Sequence, residues 1–245
     1  MNHDALAKRT GDTVKIAGDY QYHALHNGNS IQRFWHYTKK QAIKKYLPPL
    51  SNDYILDVGC GSGVITSFLG ESGAQVTGLD ANGDAILFAK DKYGNDNVNF
   101  IHGLVDERRD FEKQADKIYC LEVIEHIYYK QGREMLNSFY RLLKPGGSVF
   151  LTTPNYNSMW PFIEWGMDVF GLAPAMAKLQ HVEHYDKSRL KKICLEAGFK
   201  IRRVKTNCFL APWVAPLSMK FAERLDDIEN RCSFGGSILI FILEK

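Results

Sequence analysis

Beyond Pro49 the chain alternates short apolar runs with helix-length amphipathic stretches. Tyr54–Val58, Gln75–Leu79, Val98–Ile101, Lys117–Leu121 and Ser148–Thr153 read as strands, and the segments between them have helical spacing. This alternation predicts a parallel sheet covered by helices. Two later runs, Lys200–Lys205 and Ser237–Leu243, bring the strand count to seven. The first of these follows a predicted helix, with Asp186 as its N-cap and Gly198 at its end. Upstream, Ile31, Phe34, Trp35, Ala42, Ile43, Tyr46 and Leu47 recur at helical spacing until Pro48 and Pro49 stop the pattern. One amphipathic helix is therefore expected ahead of the core. Its outer face carries Lys39, Lys40, Lys44 and Lys45, read as a solvated face in preference to a peripheral contact with an anionic membrane surface.

The stretch from Pro154 to His184 interrupts the rhythm and is rich in large apolar residues, among them Tyr156, Met159, Trp160, Phe162, Trp165, Met167, Phe170, Leu172 and Met176. It reads as a lid, although ordinary packing beneath an insertion accounts for any single residue equally well. A second apolar stretch, Phe209 to Leu217, is expected to line the same cavity. The expected organisation is a helical cap over residues 1–50 and an α/β domain over 51–245, with the lid insertion at about 154–185.

Composition narrows the function classes. A chain of 245 residues with 45% hydrophobic, 12% aromatic and 24% charged side chains buries enough apolar surface to fold, which excludes global disorder. The formal charge of +3 is too balanced for a dedicated nucleic-acid binder. Cys60, Cys120, Cys194, Cys208 and Cys232 contain no C-x-x-C pair, so neither a disulfide framework nor a zinc site is indicated and a reducing cytoplasm is expected. The opening residues MNHDALAKRTGD lack the apolar stretch of a secretory signal, and the longest apolar run, Ile238 to Leu243, is too short to span a bilayer.

The strongest chemical signal lies at the first strand. Tyr54-Ile-Leu-Asp57-Val-Gly59-Cys60-Gly61-Ser-Gly63 places an acid at the strand end and alternate glycines at the turn into a helix. Glycine suits that turn because a side chain would block close approach of a ligand to the backbone, and because some positions need positive φ. At the end of the next strand, Asp80 offers a carboxylate where a ribose diol would lie. The dinucleotide fingerprint G-x-G-x-x-G fails, since Val64 and Thr66 follow. Asp57 beside the loop would repel a pyrophosphate and attract an ammonium or sulfonium, which points to S-adenosylmethionine.

At these residues the sequence resembles the class I S-adenosylmethionine-dependent methyltransferases. The resemblance extends through Cys120-Leu-Glu-Val-Ile-Glu-His126, Leu143-Lys-Pro-Gly-Gly-Ser-Val-Phe150, and His181-x-x-x-Tyr185 followed by Leu190 and Ala197-Gly198-Phe199. It implies a Rossmann-like, mostly parallel seven-stranded sheet whose last strand is antiparallel. Within that superfamily the sequence is most similar to the ubiquinone-biosynthesis O-methyltransferases. The implied cofactor site comprises Asp57, Gly59, Cys60, Gly61, Gly63, Asp80, Ala81 and Leu121, with Lys39 in place of the arginine that family uses near the cofactor carboxylate. His102-Gly-Leu-Val-Asp106 lacks the acid many relatives use for adenine, leaving Leu104 and Val105 to offer backbone and apolar contact.

Methyl transfer needs alignment above all, and an oxygen acceptor must also lose its proton near attack. His126, His181 and His184 are the candidate bases. A histidine that ties the lid to the sheet explains His181 and His184 as well as catalysis does. Glu122, Glu125 and His126 would share one face of a helical turn, and the resemblance implies a magnesium site there. Against that, the E-x-x-E-H string also supports the cofactor loop in relatives with unrelated acceptors. The expected activity is O-methylation of a small apolar or phenolic acceptor such as a quinol; methylation of RNA or protein and a catalytically silent cofactor-binding module are the competing readings.

Overall fold

The computed structural model describes residues 17–107, 113–170, 181–232 and 235–245, with side chains omitted for 166–170 and 232. Of the lid residues, Leu172 and Met176 therefore lie outside the described residues, as do the side chains of Met167 and Phe170. The helices are α1 (Tyr20–His26), α2 (Ser30–Tyr46), α3 (Val64–Gly70), α4 (Gly83–Tyr93), α5 (Tyr129–Leu142), α6 (Trp160–Phe170), α7 (Lys187–Glu196), α8 (Ala211–Val214) and α9 (Met219–Cys232). The strands are β1 (Tyr54–Val58), β2 (Gln75–Asp80), β3 (Val98–His102), β4 (Ala115–Leu121), β5 (Leu143–Pro154), β6 (Lys200–Asn207) and β7 (Ile238–Glu244).

All seven expected strands form one sheet in the order β3-β2-β1-β4-β5-β7-β6. The first five run parallel, and β7 is antiparallel to both β5 and β6. The order reverses between β1 and β4, and the crevice beyond the carboxyl ends of those strands is where this kind of sheet binds ligands. Local chemistry sets the helix starts. Asn29 caps α2 by accepting from Gln32 N, while the Gln32 side chain accepts from Asn29 N; Asp186 caps α7 through Arg189 N, as expected.

The unbroken apolar run of β7 follows from burial on both faces. Leu239, Phe241 and Leu243 pack with Met135, Leu136 and Phe139 of α5 and Leu190 and Ile193 of α7. Ile238, Ile240 and Ile242 face the other core, with Ala42 and Ile43 of α2 and Phe68 and Leu69 of α3. Helix α2 thus shares a core with the sheet. Lys44 and Lys45 are exposed, as the solvated-face reading expects, with Lys40 and Lys44 over the Phe68 ring and Lys45 paired with Asp227 at 3.0 Å; Lys39 departs from it, turning inward to pair with Glu122. Long aliphatic stems can cover apolar surface while the charged end finds a ring face or a carboxylate. The Phe209–Leu217 stretch also departs from expectation: Ala211 and Ala215 pack on Phe34 of α2, while Trp213 and Leu217 are exposed.

Cys60, Cys120, Cys194 and Cys208 are free and buried, and no described helix is long and apolar enough to cross a membrane. His36, buried on α2, has its pKa lowered to about 3 by burial and then by the nearby Lys39 and Lys40. Protonation is therefore harder in the folded chain than in the unfolded one. The stability this contributes is present above pH 6.5 and is lost as pH falls toward about 3. Thermal unfolding midpoints should consequently fall less between about pH 7 and pH 5 in His36→Phe than in the wild type, and equal slopes would discount the His36 contribution.

Candidate active site

The glycine loop joins β1 to α3 at the sheet crevice, with φ of +77° at Gly59, +50° at Gly61 and +81° at Gly63. Only one of the three is open to close approach. A Cβ at Gly59 would lie 2.2 Å from Val123 Cγ2, and one at Gly63 would lie 2.8 Å from the Phe100 ring, so those glycines are required by packing within the protein. At Gly61 the neighbour is Gln21 Oε1, 2.5 Å from a built Cβ, the far end of a flexible side chain on α1. The loop is anchored from below: Gly59 N and Cys60 N both donate to Leu79 O, at 2.7 and 3.2 Å.

Asp80, at the end of β2, holds the loop from the side. Its Oδ2 accepts from Gly61 N and its Oδ1 from Asn82 N, each at 2.8 Å. Burial raises its pKa, while these amides work the other way. The Ala81 backbone also acts on it, and a carboxylate offers about four accepting directions in all. Asp57 is placed differently from the expectation. It is 2% exposed, accepts from Thr66 Oγ1 at 2.7 Å, and has its pKa pushed up to about 7 by burial. It braces the first turn of α3 rather than presenting an open negative charge. Around the loop, Gly103 N donates to Asp80 O, His102 Nε2 lies 3.0 Å from Ala81 O, Val105 and Leu121 are buried, and Leu104 is half-buried.

Past β4 the chain makes a short 3-10 turn, Ile124–His126, rather than an α-helix. Glu122 precedes it with φ of +56°, a conformation costly for a non-glycine residue. For that reason Glu122, Glu125 and His126 do not share a helical face. The Glu122 carboxylate takes Trp35 Nε1 at 3.0 Å and Lys39 Nζ at 2.8 Å. Glu125 is fully buried; its Oε2 accepts from Thr153 Oγ1 at 2.9 Å, while Oε1 has no hydrogen-bond partner. Burial pushes its pKa up to about 7.

The C-terminal end of the insertion docks on this turn, and its two ends pair with each other. Val182 N and Glu183 N donate to Glu125 O, and Tyr156 N donates to Tyr185 O. The His181 ring comes 4.9 Å from that of His126 and 6.2 Å from Trp160, and Trp160 in turn lies 5.3 Å from Trp35. Burial disfavours a charged His181, but its bond to Glu164 and the charges of Glu125 and Glu122 outweigh that and raise its pKa. His184 is exposed and stacks on the Tyr156 ring at 4.0 Å. Tyr185, fully buried in the core, is packing.

The model of a methyltransferase domain matches residues 31–204, most of the chain. The chain belongs to this methyltransferase family. Ubiquinone biosynthesis O-methyltransferases of Erwinia tasmaniensis and Cronobacter sakazakii are 30% and 33% identical to it over 171 residues, 69% of this chain and 63% of each relative. The chain thus spans less than two thirds of the length of these relatives. A counterpart from Hydrogenovibrio crunogenus is 27% identical over 187 residues, 74% of this chain and 73% of that protein. Among solved structures, an S-adenosylmethionine-dependent methyltransferase of Thermotoga maritima matches with a TM-score of 0.68 at 16% identity, covering 98% of this chain and 99% of that one. The magnesium protoporphyrin IX methyltransferase of Synechocystis PCC 6803, solved with S-adenosylhomocysteine, gives 0.63 at 16% identity over 100% of both chains. At such identities the likeness is one of fold.

In this methyltransferase domain the magnesium set implied by resemblance does not fit. Glu122 is neutralised by Lys39, and the donor atoms that lie within 4.8 Å of one another belong to Glu125, His126 and His181. Magnesium favours oxygen donors and retained waters, whereas this group offers two imidazoles and one carboxylate. Sequence reading missed Gln21, Val123 and Glu164. No spacing rule links them to the motifs they touch; Glu164, with Asp168, is one of two acids in a mostly apolar helix stretch and could have been flagged on that ground.

Proposed function

We propose that this chain binds S-adenosylmethionine at the β1–α3 loop and transfers its methyl group to an oxygen of a small apolar, phenolic acceptor such as a quinol. The observation that carries the reading is Gly61, left-handed and met only by the flexible end of Gln21, with its amide held by the one carboxylate placed for a ribose. A cradle that a Cβ would fill, beside Asp80, fits an adenosine-type ligand. Leu104, Val105, Ala81 and Leu121 lie where they would supply backbone and apolar contacts. Bound there, the cofactor supplies an electrophilic methyl carbon whose bonding pair stays on sulfur as the methyl leaves.

The acceptor side is built from Trp35, Trp160, His126 and His181. Flat rings on several sides suit a planar apolar acceptor. His181, with its raised proton affinity, takes the acceptor's hydroxyl proton as the oxygen gains methyl, and the imidazolium then releases that proton to solvent. The relatives named as ubiquinone biosynthesis O-methyltransferases support the phenolic acceptor.

Calorimetry with S-adenosylhomocysteine, followed by transfer of labelled methyl to a simple ortho-diphenol in the presence of EDTA, tests the reading. Saturable binding and a solvent-extractable labelled ether are expected, with EDTA changing the rate by less than about twofold. Absence of binding removes the cofactor assignment. Label confined to macromolecules removes the small acceptor, and loss in EDTA restored by magnesium removes the metal-free route.

A further inference from the structure

We propose that Glu164 is a positioning residue: it fixes His181 as the tautomer carrying its proton on Nδ1, leaving Nε2 as the only ring atom able to accept a proton. The inference rests on the reading of His181 as the acceptor-side base.

Glu164 lies on α6, inside the insertion, and is 3% exposed. A carboxylate so buried must be satisfied by donors. It has two: Tyr156 OH, 3.0 Å from both of its oxygens, and His181 Nδ1, 2.5 Å from Oε1. The opposite tautomer would press the bare lone pair of Nδ1 against a carboxylate oxygen, so the contact is attractive only when Nδ1 carries hydrogen. The remaining contacts hold this arrangement in place. Tyr156 OH also sits 2.9 Å from His181 Nδ1, and its ring is covered by His184. Behind His181, the amides of Val182 and Glu183 are pinned to Glu125 O. The imidazole is thus held by the insertion on its Nδ1 side, and one ligand atom each of Glu125, His126 and His181 lie within 4.8 Å of one another. Glu164, on α6 of the insertion, therefore supplies the group that orients the base.

Two-bond proton–nitrogen spectra of the full chain labelled in histidine, recorded at about pH 9 where neutral imidazole dominates, read the tautomer directly. The wild type is expected to show His181 protonated on Nδ1; a signal from the Nε2-protonated form there overturns the proposal without any variant. Glu164→Leu should move His181 toward the Nε2-protonated form. It should also lower kcat with the ortho-diphenol about 10- to 100-fold, with acceptor KM and S-adenosylhomocysteine affinity within about twofold of wild type. Glu164→Gln, which keeps an accepting oxygen, should retain the Nδ1 proton and most of kcat. An unchanged tautomer in Glu164→Leu overturns the proposal. The spectra need no acceptor, so failure to methylate the diphenol would count against the proposed function and leave this assignment standing.

Discussion

Asp80→Ala is expected to weaken S-adenosylhomocysteine binding by more than about 100-fold, measured by calorimetry. In the proposed reading the carboxylate does two things at once: it tethers Gly61 N and Asn82 N, each at 2.8 Å, and it accepts from the ribose diol. Hydrogen bonds to a charged group contribute about 1.5–3 kcal/mol each, and two to a ribose diol together account for at least two powers of ten in affinity. Losing the tethers also lets the loop relax, which adds to the effect. Asp80→Asn, which keeps one accepting oxygen, should fall between. The unfolding midpoint, followed in parallel, separates a loosened loop from a lost fold. Binding within about threefold of wild type in Asp80→Ala would mean that the ligand does not lie against this strand end, and the cradle assignment would fall.

The second large effect is on turnover. His181→Ala should lower kcat with the ortho-diphenol by about 10²–10⁴-fold, the range over which general bases act, and leave S-adenosylhomocysteine affinity intact. His181 is the histidine that joins burial, a carboxylate partner and contact with the Glu125 turn. His184→Ala is expected to have little effect, because that ring is exposed and engages only the Tyr156 face among its described ring contacts. A result in which His184→Ala is slow and His181→Ala is not would reverse their roles. The Glu164→Leu loss should be smaller than that of His181→Ala, since a misoriented base retains part of its function and a missing one retains none.

What was legible in the sequence follows from short-range physics. Strand positions came from apolar runs bounded by turns, and the observed strands begin within a few residues of the predicted ones. The Asp186 cap and the glycine loop with Asp80 at the next strand end were likewise readable, because each depends on neighbours along the chain or on the β-α-β geometry that fixes where a strand ends. Family membership rests on those same local signals.

Tertiary structure alone decided which side chains meet. Spacing put Glu122, Glu125 and His126 on one helical face, but a 3-10 turn entered through a left-handed Glu122 sends the first to Trp35 and Lys39 and the second into the core. Asp57 read as an anion acting on the ligand from its place beside the loop; only the packing of α3 shows that Thr66 takes it. Glu164 and His181 are 17 residues apart within the insertion and become partners while its C-terminal end is pinned to the Glu125 turn and its two ends pair through Tyr156 and Tyr185. A sequence carries the periodicities that make elements, since those are repeated every few residues. The partner of a buried charge is chosen once, by how distant elements pack, and no local repeat encodes it.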